Sequence, residues 1–277
     1  TAPMFDALAR DWLARAERRA KAYETLKIHA NKHLIPFFGK KQVTAVSTAD
    51  VNRWIADQLG TLKPGTVKRQ FNTLRAVLND AIKSGHIDTN PCRHADPIRG
   101  INARQRFLDG EELVRLLAKS EEVADWLPDM ILWCLHSGMR KGEVKALEWS
   151  DIRVLENGLS FAQVKTSKTD QPRIVSCTDT MKGVLERQKK RKVKGDNRVF
   201  PISAMTLRRK WEKARKSAGL EDVTMHDLRR THGTHAAAAG VDLRTLAGRI
   251  GHTDLTMLQK HYAALVGTAD EQAAKTR

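Results

Sequence analysis

Negative charge is what this sequence is short of. Thirty-two Asp and Glu stand against 49 Lys and Arg in 277 residues, leaving a formal net charge of +17. An excess of that size favours a polyanionic partner, with nucleic acid as the default. Apolar runs are short too. None approaches the ~18 residues a membrane-spanning helix needs, so the basic character is not that of a spanning protein, and the N-terminus carries no apolar signal core. Cysteine is sparse: Cys92, Cys134 and Cys177 are far apart and odd in number, which excludes a disulfide framework or a zinc cluster and suggests a reducing compartment. His232 and His235 are spaced to reach one metal, but no cysteine or carboxylate cluster accompanies them, and structural helix histidines are the preferred reading.

What the chain does have, at a length sufficient for two cores, is helical periodicity. Residues 4–38 read as two helices, with Phe5, Leu8, Trp12 and Leu13 on the apolar face of the first. Leu26, Ile28 and Leu34 fall in the second, which Pro36 and Gly39 end. Ser47 or Thr48 caps a third helix with Val51, Trp54 and Ile55 inward. Pro64-Gly65 opens a long fourth, apolar at Val67, Phe71, Leu74, Val77, Leu78 and Ile82, with Lys68, Arg69 and Arg75 on its other face. Residues 91–106 hold two prolines, a glycine and four arginines with little periodicity, as a basic linker would.

A second unit begins at Phe107. A helix capped near Asp109 turns Leu113, Leu116 and Leu117 inward, and an apolar helix through Met130–Leu135 ends at Gly138 and delivers Arg140. From Asp151 to Cys177 the pattern becomes short strands: Ile152–Leu155, a turn at Asn157-Gly158, a run through Leu159, Phe161 and Val164, a polar turn KTSKTDQPR, then Arg173–Val175. Thr178–Val193 reads as a helix running into a lysine-rich cluster. MTLRRKWEKARKSAG reads as another, offering Arg208 and Arg209.

The stretch from Thr224 to Leu265 is cut by Gly240 and Gly251 into three helical pieces, with Asp227, Asp242 and Thr253 or Asp254 as plausible starts. His226 and Arg229 share a helix face, His252 follows Gly251 at a turn, and Tyr262 comes ten positions later. Each residue alone has a bland explanation: Tyr262 extends the stripe of Leu255 and Leu258, Arg229 and Arg230 form a solvated basic face, and Arg140 is a helix-end cation favoured by the dipole.

Together, His-x-x-Arg, Gly-His and a tyrosine resemble the C-terminal signature of the tyrosine recombinases, the phage-integrase family. LHSGMRKGEVKALEWSDI (Leu135–Ile152) resembles that family's first conserved box. The resemblance implies a mainly α fold with a small antiparallel β-sheet (α+β), made of an all-α core-binding domain over residues 1–91, a basic linker over 92–106 and a catalytic domain over 107–277. It implies Arg140, Arg229, His226 and His252 around a DNA phosphate, Glu143 in support, Tyr262 as nucleophile, and a hairpin lysine as general acid. Lys168, five before Arg173, is preferred for the last role, with Lys165 as rival. Lys68, Arg69, Arg75, Arg104, Arg208 and Arg209 are the candidate DNA contacts.

The implied reaction proceeds through a 3′-phosphotyrosine, with no cofactor, metal or ATP. Its partners are double-stranded DNA and further copies of the chain, a tetramer on two sites, with accessory DNA-bending proteins as a further possibility. The expected location is cytoplasmic, on the nucleoid when DNA is bound. An N-terminal arm-binding module, common in integrases, is either lacking or trimmed. A type IB topoisomerase and a DNA-binding regulator with a decayed site are the alternatives.

Overall fold

The computed structural model describes residues 2–18, 22–101, 106–165 and 172–251. The chain divides into two compact units, Thr1–Ala103 and Arg104–Arg277.

The first unit is helical: α1 (Phe5–Glu17), α2 (Tyr23–His29), a π turn (Ala30–Leu34), α3 (Ile35–Phe38), α4 (Thr48–Leu59) and α5 (Pro64–Lys83). Pro36 does not end the second helix, contrary to expectation. Proline lacks the N–H that a straight α-helix would aim at the carbonyl of Lys32. The chain widens into a π turn just before it, where the Ile35 N–H reaches back five residues to the Ala30 carbonyl, and the rod continues to Phe38. The wider turn also resets the buried face: Ala30, Leu34 and Phe38 point inward, and Ile28 is exposed. Ser47 and Asp50 close a capping box on α4. On α5, Val67, Phe71, Leu74, Val77 and Leu78 are buried, at helical spacing, against Phe38 and Trp54 of the same core.

The expected linker is divided between the units. Asn90 turns the chain after α5: its amide donates to the Arg75 carbonyl (3.0 Å) and to Asn79 (2.6 Å), and its oxygen accepts from the Cys92 N–H (2.9 Å). Cys92 is buried in the first core, and Ala95 and Ile98 pack against that core, partly buried. Arg106 belongs to the second unit, where it donates to Glu112 and Asp222.

The second unit holds α6 (Gly110–Val123), α7 (Leu127–Ser137), α8 (Lys141–Ala146), α9 (Asp179–Lys189), α10 (Ala204–Ser217), α11 (Met225–Ala238) and α12 (Leu243–Ile250), together with a three-stranded antiparallel sheet. Its order is β1 (Ile152–Val154), β2 (Ser160–Val164), β3 (Arg173–Ser176). The architecture is mainly α with a small antiparallel sheet. Register pairs Ala162 with Ile152 and Val175, and Val164 with Arg173. Strand period two puts Ser160, Ala162 and Val164 inward, while Leu159, just before the strand, is exposed. Helix α9 is shorter than expected: Thr178 caps it and the lysine-rich residues 190–194 follow it.

Candidate active site

Helix α7 is apolar on most sides, with Met130, Ile131, Trp133 and Cys134 fully buried. It ends at Gly138, whose φ of 62° lets the chain reverse sharply. A Cβ there would lie 2.6 Å from His232 Cδ2 and 2.9 Å from Ile250 Cγ2, so the turn also needs the absence of a side chain. Two residues on, Arg140 caps the N-terminus of α8. This differs from the helix-end cation the sequence suggested, because the positive end of the α8 dipole disfavours a cation there.

Glu143 provides the compensation. Its carboxylate accepts the Arg140 backbone N–H (2.8 Å) and Arg140 Nη1 (2.9 Å), while Arg140 Nη2 donates to the carbonyl of Gly251 (2.9 Å). Burial alone would raise the Glu143 carboxyl, but the hydrogen bonds and charges of Arg173 and Arg140 outweigh it and hold the group below its ordinary range.

Helix α11 begins at Met225. Thr224 is its N-cap and Asp227 completes the capping box from the third position, so Asp227 is not the start that its residue type suggested. Arg229, buried on this helix, donates through Nη1 to the Gly138 carbonyl (2.8 Å). His226, exposed one turn earlier, has its pKa lowered by partial desolvation and then by Arg230, Arg229 and Arg140, against the pull of Asp227. The imidazole is therefore neutral near pH 7 and within electrostatic reach of both arginines. Arg140 and His226 line one cleft of about 770 Å³ with Lys141, Arg208, Arg215 and Trp211.

Helix α12 starts at Asp242, whose carboxylate accepts from the Arg244 and Thr245 N–H groups, as expected, and ends at Gly251, with φ of 69°. Before that turn, Arg249 donates to the His136 carbonyl (2.9 Å), the Ser176 carbonyl (3.2 Å) and His232 Nε2 (3.3 Å). His232 Nδ1 meets the Leu135 carbonyl at 2.8 Å, so it carries the proton and Nε2 accepts. Burial, then Arg249, push this imidazole down to about 4. His232 is a neutral brace in the helix; His235 is exposed.

The sequence reading missed Arg173. It appeared there only as a marker for the hairpin. In the structure it is buried on β3, donating through Nη1 (3.1 Å) and Nη2 (2.6 Å) to Glu143 and through Nε to the Arg249 carbonyl (2.9 Å). The available signal was its position two before the inward Val175, which puts an arginine on the buried face of a strand.

Lys165, at the end of β2, holds its Nζ 2.5 Å from Asp151 and 3.7 Å from Glu148, and hydrogen bonding to Asp151 raises its pKa. Lys168, His252, Tyr262 and Arg104 lie outside the described residues. Of the other candidate contacts, Arg69, Arg75, Arg208 and Arg209 are exposed, and Lys68 sits over the Phe71 ring at 5.1 Å. Among the described residues no three His, Cys, Asp or Glu side chains converge as metal ligands, and no helix is long and apolar enough to cross a membrane.

Among the described residues the site thus brings together two cationic side chains anchored from separate segments, a neutral imidazole and a buried carboxylate. The class is that of the tyrosine recombinases, and the comparisons with known proteins establish it. The family model of the phage integrase family matches residues 106–267, and that of the phage integrase central domain matches residues 5–97. The chain belongs to the phage integrase family.

It is similar to the tyrosine recombinase XerA of Saccharolobus solfataricus, 28% identical over 80% of this chain and 76% of that protein. It is also similar to the integrase of Mycobacterium phage D29, 25% identical over 95% of this chain and 75% of that one. It spans 61% of the length of a Haemophilus influenzae relative to which it is 27% identical. Its fold resembles a lambda integrase dimer bound to a core site, with a TM-score of 0.77 and 18% identity over 95% of this chain and 78% of that one. The Tn1549 transposon integrase with circular intermediate DNA gives a TM-score of 0.76 and 18% identity over 99% of both chains.

Proposed function

We propose that this chain is a site-specific DNA recombinase of the integrase type, with Tyr262 as its nucleophile. The Tyr262 oxygen attacks phosphorus, the bond to the 5′ oxygen breaks, and a 3′-phosphotyrosine holds the strand end until a 5′ hydroxyl reverses the step. Breaking a phosphodiester accumulates negative charge on the non-bridging oxygens, and two planar guanidinium forks suit that charge. Arg140 and Arg229 supply them, with His252 beside them. His226, neutral near pH 7, donates one N–H to the phosphate or accepts the phenol proton. Lys168 protonates the departing 5′ oxygen; Lys165 is the less suited rival, because its ammonium is engaged by Asp151.

The observation that carries this reading is the anchoring of Arg140 on the Gly251 turn and of Arg229 on the Gly138 turn, with His226 in range of both. Donors fixed in this way need little reorganisation as charge develops, and the loss of one such donor typically costs about 3 kcal/mol of transition-state stabilisation.

DNA is the partner, gripped through Lys68, Arg69, Arg75 and Arg104 and through Arg208 and Arg209. A tetramer of lambda integrase on a Holliday junction, similar in fold with a TM-score of 0.75, supports assembly of four copies on two sites. DNA-bending proteins would serve as accessories, and the reaction would take place in the cytoplasm, on the nucleoid. The test is to incubate the protein with duplexes from its own genomic flanks and look for denaturant-resistant protein–DNA adducts. Wild type forms them. Tyr262→Phe forms none while binding the same duplexes with nearly unchanged affinity, and equal adduct yield from the variant would exclude Tyr262.

A further inference from the structure

We propose that Arg173 is a positioning residue that restores to Arg140 the positive charge Glu143 would otherwise cancel. The inference rests on the reading of Arg140 as a phosphate-binding group. Glu143 is needed for geometry. It caps α8 and orients the Arg140 guanidinium through its second oxygen, and its side chain is only 5% exposed. A buried carboxylate in direct contact with the phosphate-binding arginine has an electrostatic cost, because at 2.9 Å the pair is neutral as seen by an approaching anion.

Arg173 changes that sum. One carboxylate and two guanidiniums leave the cluster with a net charge of +1. The guanidinium of Arg173 is spent inward: two contacts go to Glu143 and one to the Arg249 carbonyl, and its side chain is 8% exposed. Arg140, 24% exposed and lining the cleft, is the member that can show the charge to a ligand. Four donors occupy a carboxylate with about four acceptor sites, so Glu143 is saturated and does not compete for the ligand.

The same side chain shapes the turn that leads to His252. A Cβ on Gly251 would lie 3.0 Å from Arg173 Nη1, and the Arg249 carbonyl two residues earlier accepts from Arg173 Nε. A lysine could supply the charge but not donate in three directions from one plane.

Among the described residues, Arg140 and Arg173 are the cations facing Glu143. Glu148, Asp151 and Lys165 line the small cleft beside it. Without Arg173 the Glu143 carboxyl loses the donor that most opposes its burial and protonates at a higher pH. Protonation, or an amide in its place, returns the net charge to +1.

The experiment measures single-turnover adduct formation, with duplex affinity in parallel, on a flanking duplex that wild type cleaves. Arg173→Met slows adduct formation about 100-fold near pH 7.5 with duplex affinity little changed. Its rate relative to wild type rises as the pH is lowered. The double variant Glu143→Gln/Arg173→Met recovers part of the lost rate, since the amide removes the negative charge but keeps only one of the two acceptors that hold Arg140. Arg173→Lys keeps the wild-type pH profile. A double variant no faster than Arg173→Met, or an Arg173→Met pH profile parallel to wild type, overturns the proposal, since a purely structural role predicts both. If the methionine variant does not fold, Arg173→Gln against Arg173→Lys carries the same contrast. A wild type that cleaves no flanking duplex overturns the recombinase reading itself, and the inference with it; active wild type with the wrong order of variants overturns the inference alone.

Discussion

Arg140 donates through Nη2 to the carbonyl oxygen of Gly251 at 2.9 Å, across 111 positions of sequence. Arg229 returns the relation, donating through Nη1 at 2.8 Å to the carbonyl of Gly138, two residues before Arg140. Each arginine is fixed by a left-handed glycine turn distant in sequence, Arg229 by the one at Gly138 (φ 62°) and Arg140 by the one at Gly251 (φ 69°). These turns place carbonyl oxygens where the guanidiniums need acceptors, while keeping side chains out of the space between α7, α11 and α12. The arginines are thereby held in fixed orientations, and in the proposed reaction such orientation in advance would lower the barrier to the chemical step.

Gly138→Ala tests that arrangement. Alanine at φ 62° costs about 1–2 kcal/mol, and its methyl would meet His232 and Ile250 at 2.6 and 2.9 Å, adding on the order of 1–3 kcal/mol of overpacking. Gly240→Ala is the control, since it has a φ of 83° with nothing within 4 Å of the new methyl. Denaturant unfolding should show Gly240→Ala losing only the backbone share and Gly138→Ala clearly more. Adduct formation by the folded protein should fall only for Gly138→Ala, whose carbonyl must shift away from Arg229. Equal losses in the two variants would mean that the close approach at Gly138 does not constrain the site.

A second prediction concerns the foundation of α7. Asp129 is buried on its first turn and accepts from Arg187 Nε (2.7 Å), Arg191 Nη1 (2.8 Å) and Gln188 Nε2 (2.7 Å). This clip accounts for part of the basic cluster, which from sequence could have been a solvated face. The two arginine side chains are 49% and 31% exposed and can turn to water, so their share is modest. Gln188 is buried and cannot. Asp129→Ala should therefore cost about 2–3 kcal/mol, mostly from the stranded amide and the lost carboxylate. Asp129→Asn, which can still accept from Gln188, should cost less. Adduct formation per folded molecule should be unchanged in both, and a selective loss of cleavage would show that α7 transmits more than stability to Arg140.

What the sequence made legible follows from the range of the interactions involved. The pair Arg140 and Glu143, three apart, and the pair His226 and Arg229 lie within one helical turn, where spacing alone sets the geometry. Glycine turns at 138, 240 and 251 were visible because only glycine adopts those angles cheaply. The π turn before Pro36 was not, because a proline normally ends a helix and the alternative depends on the carbonyls behind it. Asp227 was read as a cap because its residue type suits both the first and the third place of a capping box. The partners of Arg173 and Arg249 could not be found by spacing: they lie 17 to 113 positions away, and only the tertiary fold joins them.

The neutral brace at His232 sets the response to acid. Its imidazole is held at about 4 in the folded chain against about 6.5 for an unperturbed one. Between those values the unfolded chain binds a proton that the folded chain does not, so stability falls as pH drops from 6.5 towards 4 and loses nothing further from this group below that. The gap corresponds to a loss of up to about 3 kcal/mol. The lowered pKa values of His29, His136 and His226 act in the same direction. His232→Asn keeps a donor near the Leu135 carbonyl without a group that titrates in this range. It should cost stability at pH 7.5 through lost packing against Gly138 and Arg249, yet show a shallower decline than wild type between pH 6.5 and 4 when unfolding is measured across that window. Identical slopes would mean that His232 already carries its proton in the folded protein. Arg249 Nε would then face a charged ring at 3.3 Å, and the brace described for α12 would not hold.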